Sequence, residues 1–306
     1  MKESVLILGG AGFIGSNLCN SLISDYDIIS LDFQKSSRIN QNVQQYEYSM
    51  KQIDEIEKLI ISNNIRTIIH CISSVIPSSN VEQYLNDIKN IYMNTIRILE
   101  ICVKYNVKFV FLSSGGVIYE NSSRAHKETD NVLPLSFYAV SKLNMEQAIL
   151  FYHNKFNLKY IILRPSNPYG FGQKMDGKQG VISTLIKKTI NNETFEIWGD
   201  GNSVRDYIYI KDFAFIVLSL LKKNICNTII NIGSGIGTSV FELIEIIEKI
   251  SSKKISIRKN IDADLPIKNN VLDISYLLSI IDFTPTKIED GICSFYKELL
   301  SKGGLE

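Results

Sequence analysis

The stretch that most constrains the fold is VLILGGAGFIG at residues 5–15. Residues 5–8 are apolar and read as a buried strand. Gly9, Gly10, Gly12 and Gly15 follow at once, and residues 14–22 then read as a helix. Counted from Gly10 the glycines fit G-x-G-x-x-G, and counted from Gly9 they fit G-x-x-G-x-x-G. Such a turn lets backbone N–H groups approach a pyrophosphate, and the helix N-terminus adds the positive end of its dipole. The next apolar run, residues 28–31, ends in Asp32, near the spacing of about 20 residues at which an acid accepts from a ribose hydroxyl. A tight turn without a ligand would need none of this context. The expectation is a nucleotide site.

Up to about residue 165 strand and helix patterns alternate. Strand-like runs lie at 4–8, 28–31, 67–70, 108–112 and 160–163, and helical patterns at 17–23, 53–62, 81–105 and 136–156. This order predicts an α/β chain, a Rossmann-type doubly wound parallel sheet with helices on both faces. Ligands in such sheets sit at the carboxyl ends of the strands. Beyond 165 the character changes: a loop carrying Gly and Pro, a helix at 181–190, short strands at 195–198 and 254–258, and helices at 240–251 and 291–301. The runs 207–210 and 228–232 are expected to rejoin the main sheet. The domain expectation is therefore 1–165 plus roughly 205–235 for the nucleotide, and 166–204 with 236–306 as a smaller interleaved α/β substrate domain.

A formal net charge of +1 offers no bulk attraction to nucleic acid or to an acidic membrane, so neither is an expected partner. The five cysteines, Cys19, Cys71, Cys102, Cys226 and Cys293, form no C-x-x-C and fit neither a disulfide frame nor a zinc site. His70, His126 and His153 have no metal-ligand spacing; His70 ends a strand-like run, His126 falls in a polar loop pattern and His153 in a helix. No apolar run approaches the ~18 residues of a membrane span. The chain opens directly on a strand pattern, and the expected compartment is the cytoplasm.

A second constellation is YAVSK at 138–142. Tyr138 and Lys142, four residues apart, share one helix face. A free phenol has a pKa near 10, too high for a base at neutral pH, but a nearby ammonium and an oxidised nicotinamide favour the phenolate. Such a tyrosine takes a proton from a sugar hydroxyl while hydride leaves the same carbon.

With these motifs in place the chain resembles the extended short-chain dehydrogenase/reductase enzymes of the nucleotide-sugar epimerase/dehydratase group. The resemblance runs nearly end to end. It is carried by LGGAGFIGSNL (8–18), Asp32, Ser113-Ser114, YAVSK, LRPSNPYG (163–170), WGDG (198–201), VRDYIYIKD (204–212) and VLDIS (271–275). It implies NAD as cofactor, held by Gly9, Gly12, Phe13, Ile14, Gly15, Asp32, Lys142 and Pro165. A carboxylate at Asp32 repels a 2′-phosphate and so favours NAD over NADP; Arg38, six residues on, is a cation that could serve such a phosphate. It further implies Tyr138 as base and acid, with Lys142 on the nicotinamide ribose. A nucleotide-sugar substrate would meet Ser114, Tyr138, Asn167 and Arg205. The arginine would pair with a substrate phosphate, unless it pairs with Asp206 or Asp212. The helices at 81–105 and 136–156 would join their symmetry mates in a homodimer, and Tyr84, Leu85, Ile88, Ile91 and Tyr92 belong to core or dimer contact.

The chain departs from the group's pattern at four places. The Ser or Thr expected four residues before Tyr119 is Gly115, which leaves Ser114, next door, as the candidate oxygen partner. The two acids that eliminate water in the related dehydratases are replaced by Gly116 and Val117, which disfavours dehydration. Ser49 stands where an Asp often meets the adenine. Near the C-terminus an expected Arg is replaced by the acidic stretch 262–266, with Arg258 as an alternative cation. Ser73 and Ser74, after the His70 strand, are candidates to line the substrate cleft. The reading is an NAD-dependent C4 epimerase of a nucleotide-activated sugar. Two alternatives stay open: a nucleotide-4-keto-6-deoxysugar reductase using NAD(P)H, and a non-catalytic NAD-binding protein of the same fold.

Overall fold

The computed structural model describes residues 2–175, 179–260 and 269–302. In chain order the elements are β1 (Ser4–Leu8), α1 (Phe13–Leu22), β2 (Asp27–Asp32), β3 (Gln44–Glu47), α2 (Ile53–Ser62), β4 (Ile65–His70), α3 (Val81–Asp87), a π-helical turn (Ile88–Tyr92), α4 (Met93–Tyr105), β5 (Lys108–Leu112), α5 (Gly115–Ile118), α6 (Phe137–Phe156) and β6 (Tyr160–Pro165). There follow β7 (Asn167–Tyr169), α7 (Val181–Asn191), β8 (Phe195–Trp198), β9 (Val204–Tyr209), α8 (Ile210–Lys222), β10 (Thr228–Ile232), β11 (Gly237–Ser239), α9 (Val240–Ser251), β12 (Ile257–Asn260), β13 (Asn269–Asn270), α10 (Ser275–Ile280) and α11 (Ile288–Lys302).

The chain divides into two compact units, one of Met1–Ile118, Pro134–Arg164 and Ala214–Ile230, the other of Tyr119–Leu133, Pro165–Phe213 and Asn231–Glu306. The first is built on a seven-stranded sheet of order β10-β6-β5-β4-β1-β2-β3. The pairings from β6 across to β3 are parallel, as continuous apolar runs such as VLIL and FVFL require when both faces are covered. The strand order runs outward in both directions from β1 and β4. Their carboxyl ends therefore flank the crevice where a ligand fits a doubly wound sheet. On one face Ile56, Leu59 and Ile60 of α2, Ile98, Leu99 and Cys102 of α4, and Met145 and Ile149 of α6 bury against Leu6, Leu8, Ile68, Phe109 and Ile162 of the sheet.

Three local readings are corrected. The helix expected over 81–105 is interrupted. α3 starts at a capping box, Asn80 with Gln83, and runs to Asp87, after which the π-helical turn widens the spiral before α4 begins. A π-helical turn inserts a residue without ending the helix, so the apolar positions run on through it with their faces rotated. The 207–210 run does not rejoin the main sheet: β9 is central to a four-stranded sheet, pairing with β7, β11 and β13. The strand expected at 254–258 lies at Ile257–Asn260, paired with β8. The 228–232 run does join the main sheet, as its edge strand β10.

His126, in the polar loop pattern, is buried. Its ring stacks on Tyr119 at 4.8 Å and 4°, and its backbone pairs with Val271 and Asp273. No helix among the described residues is long and apolar enough to cross a membrane.

Candidate active site

The glycine-rich turn is built by exclusion. Gly9 has φ +84°, a left-handed backbone that a side chain would strain. At Gly15 a Cβ would stand 2.1 Å from the Gly9 carbonyl oxygen, so the first turn of α1 lies directly on the loop. α1 opens at Gly12 with no side-chain cap. The amides of its first turn, at Phe13, Ile14 and Gly15, are therefore the donors left for an anion.

Asp32 ends β2 beside this turn. It is 9% exposed, its Oδ2 accepts from Ala11 N at 3.0 Å and its Oδ1 from Phe33 N at 2.7 Å. Burial raises its pKa and the two amides oppose that. Each oxygen keeps a second lone pair for a ribose hydroxyl. Arg38 bonds the same residue at its other main-chain group, with Nη2 donating to Ala11 O at 2.8 Å. A crowded glycine turn, uncapped helix amides and a carboxylate at the strand end fit a dinucleotide. Ser49, expected at the adenine, donates from its backbone N to Gln52 Oε1 at 2.8 Å.

The Tyr138–Lys142 turn opens α6. Ser136 caps the helix by accepting from Ala139 N at 3.2 Å. The buried face of α6 then reads Ala139, Lys142, Met145, Glu146, Ile149 and Tyr152, a helical stripe that takes two charged residues inside. Lys142 Nζ donates to Leu112 O at 2.9 Å, and lies 5.1 Å from the Phe111 ring centroid and 5.6 Å from that of Tyr138. Burial pushes its pKa down to about 8, opposed by the negative charge of Asp87 first. Tyr138 is half-buried, and burial raises its phenol while a hydrogen bond with Ser114 lowers it. Lys142 thus acts on Tyr138 through space and not by a direct bond.

Why Ser114 and not Ser113 faces Tyr138 is visible in the packing. Ser113 Oγ donates to Glu146 Oε1, and the same carboxylate receives Arg164 Nη2 at 2.7 Å and Nε at 3.1 Å. Glu146 and Arg164 are both buried. This network fixes Ser113 in the core at the end of β5, and Gly115 starts α5 straight after Ser114. Sequence reading missed Glu146 and Arg164. The one available signal was a pair of charges inside apolar periodicities.

His70 ends β4, buried, with Nε2 3.1 Å from Thr95 Oγ1. Thr95 Oγ1 donates to Ile91 O, so it accepts from His70. Of the two serines after this strand, Ser73 donates to Val75 O and Ser74 to Asp87. Both are exposed.

Pro165, Asn167 and Arg205 belong to the second unit. Pro165 closes β6, and Asn167, on β7, donates from Nδ2 to Asp206 O at 2.8 Å. Arg205, on β9, is half-buried, donates from Nη1 to Val204 O, and has its pKa lowered by burial. The acids once open as its partners have other duties. Asp206 is fully buried and accepts from Ser234 N and Oγ, Gly235 N and Leu272 N. Asp212 accepts from Thr286 N and Oγ1. Arg258 lies on β12, 3.4 Å from Glu196; the acidic stretch 262–266 and the tail 303–306 fall outside the described residues.

Comparison with known proteins adds four findings. The model of the NAD dependent epimerase/dehydratase family matches residues 5–233. The chain is 33% identical to a dTDP-4-dehydro-6-deoxyglucose reductase of Escherichia coli, over 98% of this chain and 99% of that one. It is 37% identical to a putative UDP-glucose 4-epimerase of Methanocaldococcus jannaschii, over 80% and 81%. Among solved structures, the UDP-glucose 4-epimerase of Thermotoga maritima with UDP-glucose superposes with a TM-score of 0.90 at 29% identity, covering 98% of this chain and 99% of that one.

Proposed function

Since the chain belongs to the NAD-dependent epimerase/dehydratase family, we propose that it inverts C4 of a nucleotide-activated sugar through a 4-keto intermediate. The observation that carries this is the pair of hydroxyls, Ser114 on Tyr138, beside buried Lys142 and without a carboxylate at 116 or 117. Such a pair moves one proton reversibly. It has no acid with which to expel water, as a dehydratase would need.

The backbone amides of Gly9, Gly12, Phe13, Ile14 and Gly15 hold the pyrophosphate, Asp32 the adenosine ribose, and Lys142 and Pro165 the nicotinamide end. When bound, NAD supplies a reversible acceptor for the C4 hydride. Tyr138 removes the 4-hydroxyl proton and returns it to the product. Ser114 donates to the sugar oxygen and keeps it beside Tyr138 while the keto sugar turns over. The charge on Lys142 favours the phenolate. Asn167 and Arg205 orient the diphosphate. The first unit serves as the NAD domain and the second as the nucleotide-sugar domain. The protein works in the cytoplasm as a homodimer; exposed Val81, Leu85 and Met93 around α3 and α4, and Phe151 and Phe156 on α6, supply an apolar face for that pairing.

The test is to release and identify any nucleotide that copurifies, then incubate the protein with UDP-, dTDP- and GDP-sugars and read C4 by NMR. Retained NAD and interconverted C4 epimers are expected. A second reading, reduction of a nucleotide-4-keto-6-deoxysugar, is favoured by the identity with the E. coli reductase. It predicts an empty purified protein and one NADH or NADPH consumed per turnover. Tyr138→Phe separates both from a binding protein, because only a binding protein keeps its cellular function with that change.

A further inference from the structure

Asp87 ends α3 and is 2% exposed. A carboxylate buried this far needs compensation. Its Oδ1 accepts from Ser74 Oγ at 2.5 Å and its Oδ2 from Ser141 Oγ at 2.6 Å. Ser74 belongs to the segment after β4, and Ser141 stands in α6 immediately before Lys142. The two hydroxyls are neutral, and Asp87 is the leading charge that favours the ammonium of Lys142, the residue after Ser141. Two further contacts tie α3 to the same turn of α6. The Tyr84 ring stacks on Phe137 at 5.1 Å and 22°, and Asn144 Nδ2 donates to Tyr84 Oη at 3.0 Å. The π-helical turn begins at the next residue, Ile88. It lets Tyr84 and Asp87 face α6 while Thr95 and Ile98, on α4, face the sheet.

We propose that Asp87 is a positioning residue that keeps Lys142 charged and pins the catalytic turn of α6 to the segment after β4. The proposal rests on the reading that Tyr138 and Lys142 perform the chemistry. The remaining groups around Lys142 do not replace Asp87. Glu146, on α6, is neutralised by Arg164. Cys71 is a thiol that burial holds protonated, and His70, at the end of β4, is neutral. Tyr138 is a phenol raised by burial, and β5 presents only the Leu112 carbonyl and the Phe111 ring. Without Asp87 the ammonium is buried among dipoles, and it gives up its proton at lower pH.

The test measures Lys142 directly. In full-length protein with NAD, lysine carrying 13C at Cε is titrated by NMR, and its signal is assigned by its loss in Lys142→Met. In Asp87→Asn the midpoint is expected about one pH unit below wild type, and in Ser141→Ala, which removes a hydrogen bond but no charge, it stays in place. If Asp87→Asn does not fold, Asp87→Ser removes the same charge with a side chain that admits water, and it carries the same expectation. A folded neutral variant with an unmoved midpoint overturns the proposal, as does an equal shift in Ser141→Ala. A shifted midpoint in a protein that converts no nucleotide sugar sinks the proposed reaction and leaves the role of Asp87 standing. Sugar turnover with an unmoved midpoint does the reverse.

Discussion

Lys142 and Glu146 stand one turn apart on the same buried face of α6, and they are compensated in opposite ways. Glu146 is matched charge for charge: Arg164 donates to both of its oxygens, and Ser113 adds a third bond. Lys142 makes one bond to a main-chain carbonyl and is steadied by the field of Asp87, with its pKa left at about 8. The matched pair acts as a rivet between α6 and β6. A partly compensated charge sits near its titration point, where it can influence a neighbouring phenol. The difference suggests that the first pair serves stability and the second the reaction.

Mutations should separate the two. The largest effect is expected from Tyr138→Phe, a 10²–10⁴-fold loss of turnover with an unchanged melting temperature, read by C4 interconversion alongside calorimetry. Arg164→Met should do the opposite in kind. It strands the Glu146 carboxylate and costs about 3–5 kcal/mol in denaturant unfolding; if stability held, the rivet assignment would fail. Ser114→Ala removes one charge-assisted hydrogen bond, worth about 1.5–3 kcal/mol, and turnover should drop roughly ten- to a hundredfold. Full turnover in that variant would mean that another group meets the sugar oxygen. Ser136→Ala deletes the α6 cap and should cost only about 1 kcal/mol of stability, which is a control for disturbing α6 near Tyr138 without touching either charge.

A pH experiment sharpens the same contrast. Burial, with Lys142 beside it, pushes His70 down to about 3, against about 6.5 in an unfolded chain. As pH falls below about 6.5 the unfolded chain takes up a proton that the folded one refuses, so stability declines over that window and is retained above it. Melting temperature against pH should therefore fall on the acid side, and His70→Gln should flatten the fall. A wild-type curve no steeper than that of the variant would show that His70 does not set the acid limb.

The legible parts of the site were those whose partners lie close in sequence. The glycine turn, Asp32 at the next strand end, and Tyr138 four residues before Lys142 are local patterns. Their spacing alone places amides, a carboxylate and a phenol at strand and helix ends. The alternation of short apolar runs with longer periodic ones likewise specified a parallel sheet. What stayed hidden depends on polar residues far apart in the chain. Tyr119 donates to Asn231 across 112 positions, Asp87 receives Ser141 across 54, and Ser113 reaches Glu146 across 33. In a sequence such residues resemble solvated surface, since nothing local says which polar side chains will meet.

The same holds for β9, whose VRDYIY pattern serves either sheet equally well. It holds too for Ser113, whose place in the core depends on Glu146, 33 positions away. By itself the sequence determined the Rossmann-type frame and the chemistry held at its glycine turn, because periodicity and short-range spacing are enough to set strand ends and helix dipoles. Only the tertiary structure decided what withdraws Ser113 into the core and which carboxylate steadies Lys142, because buried charge is compensated by whatever folding brings alongside it.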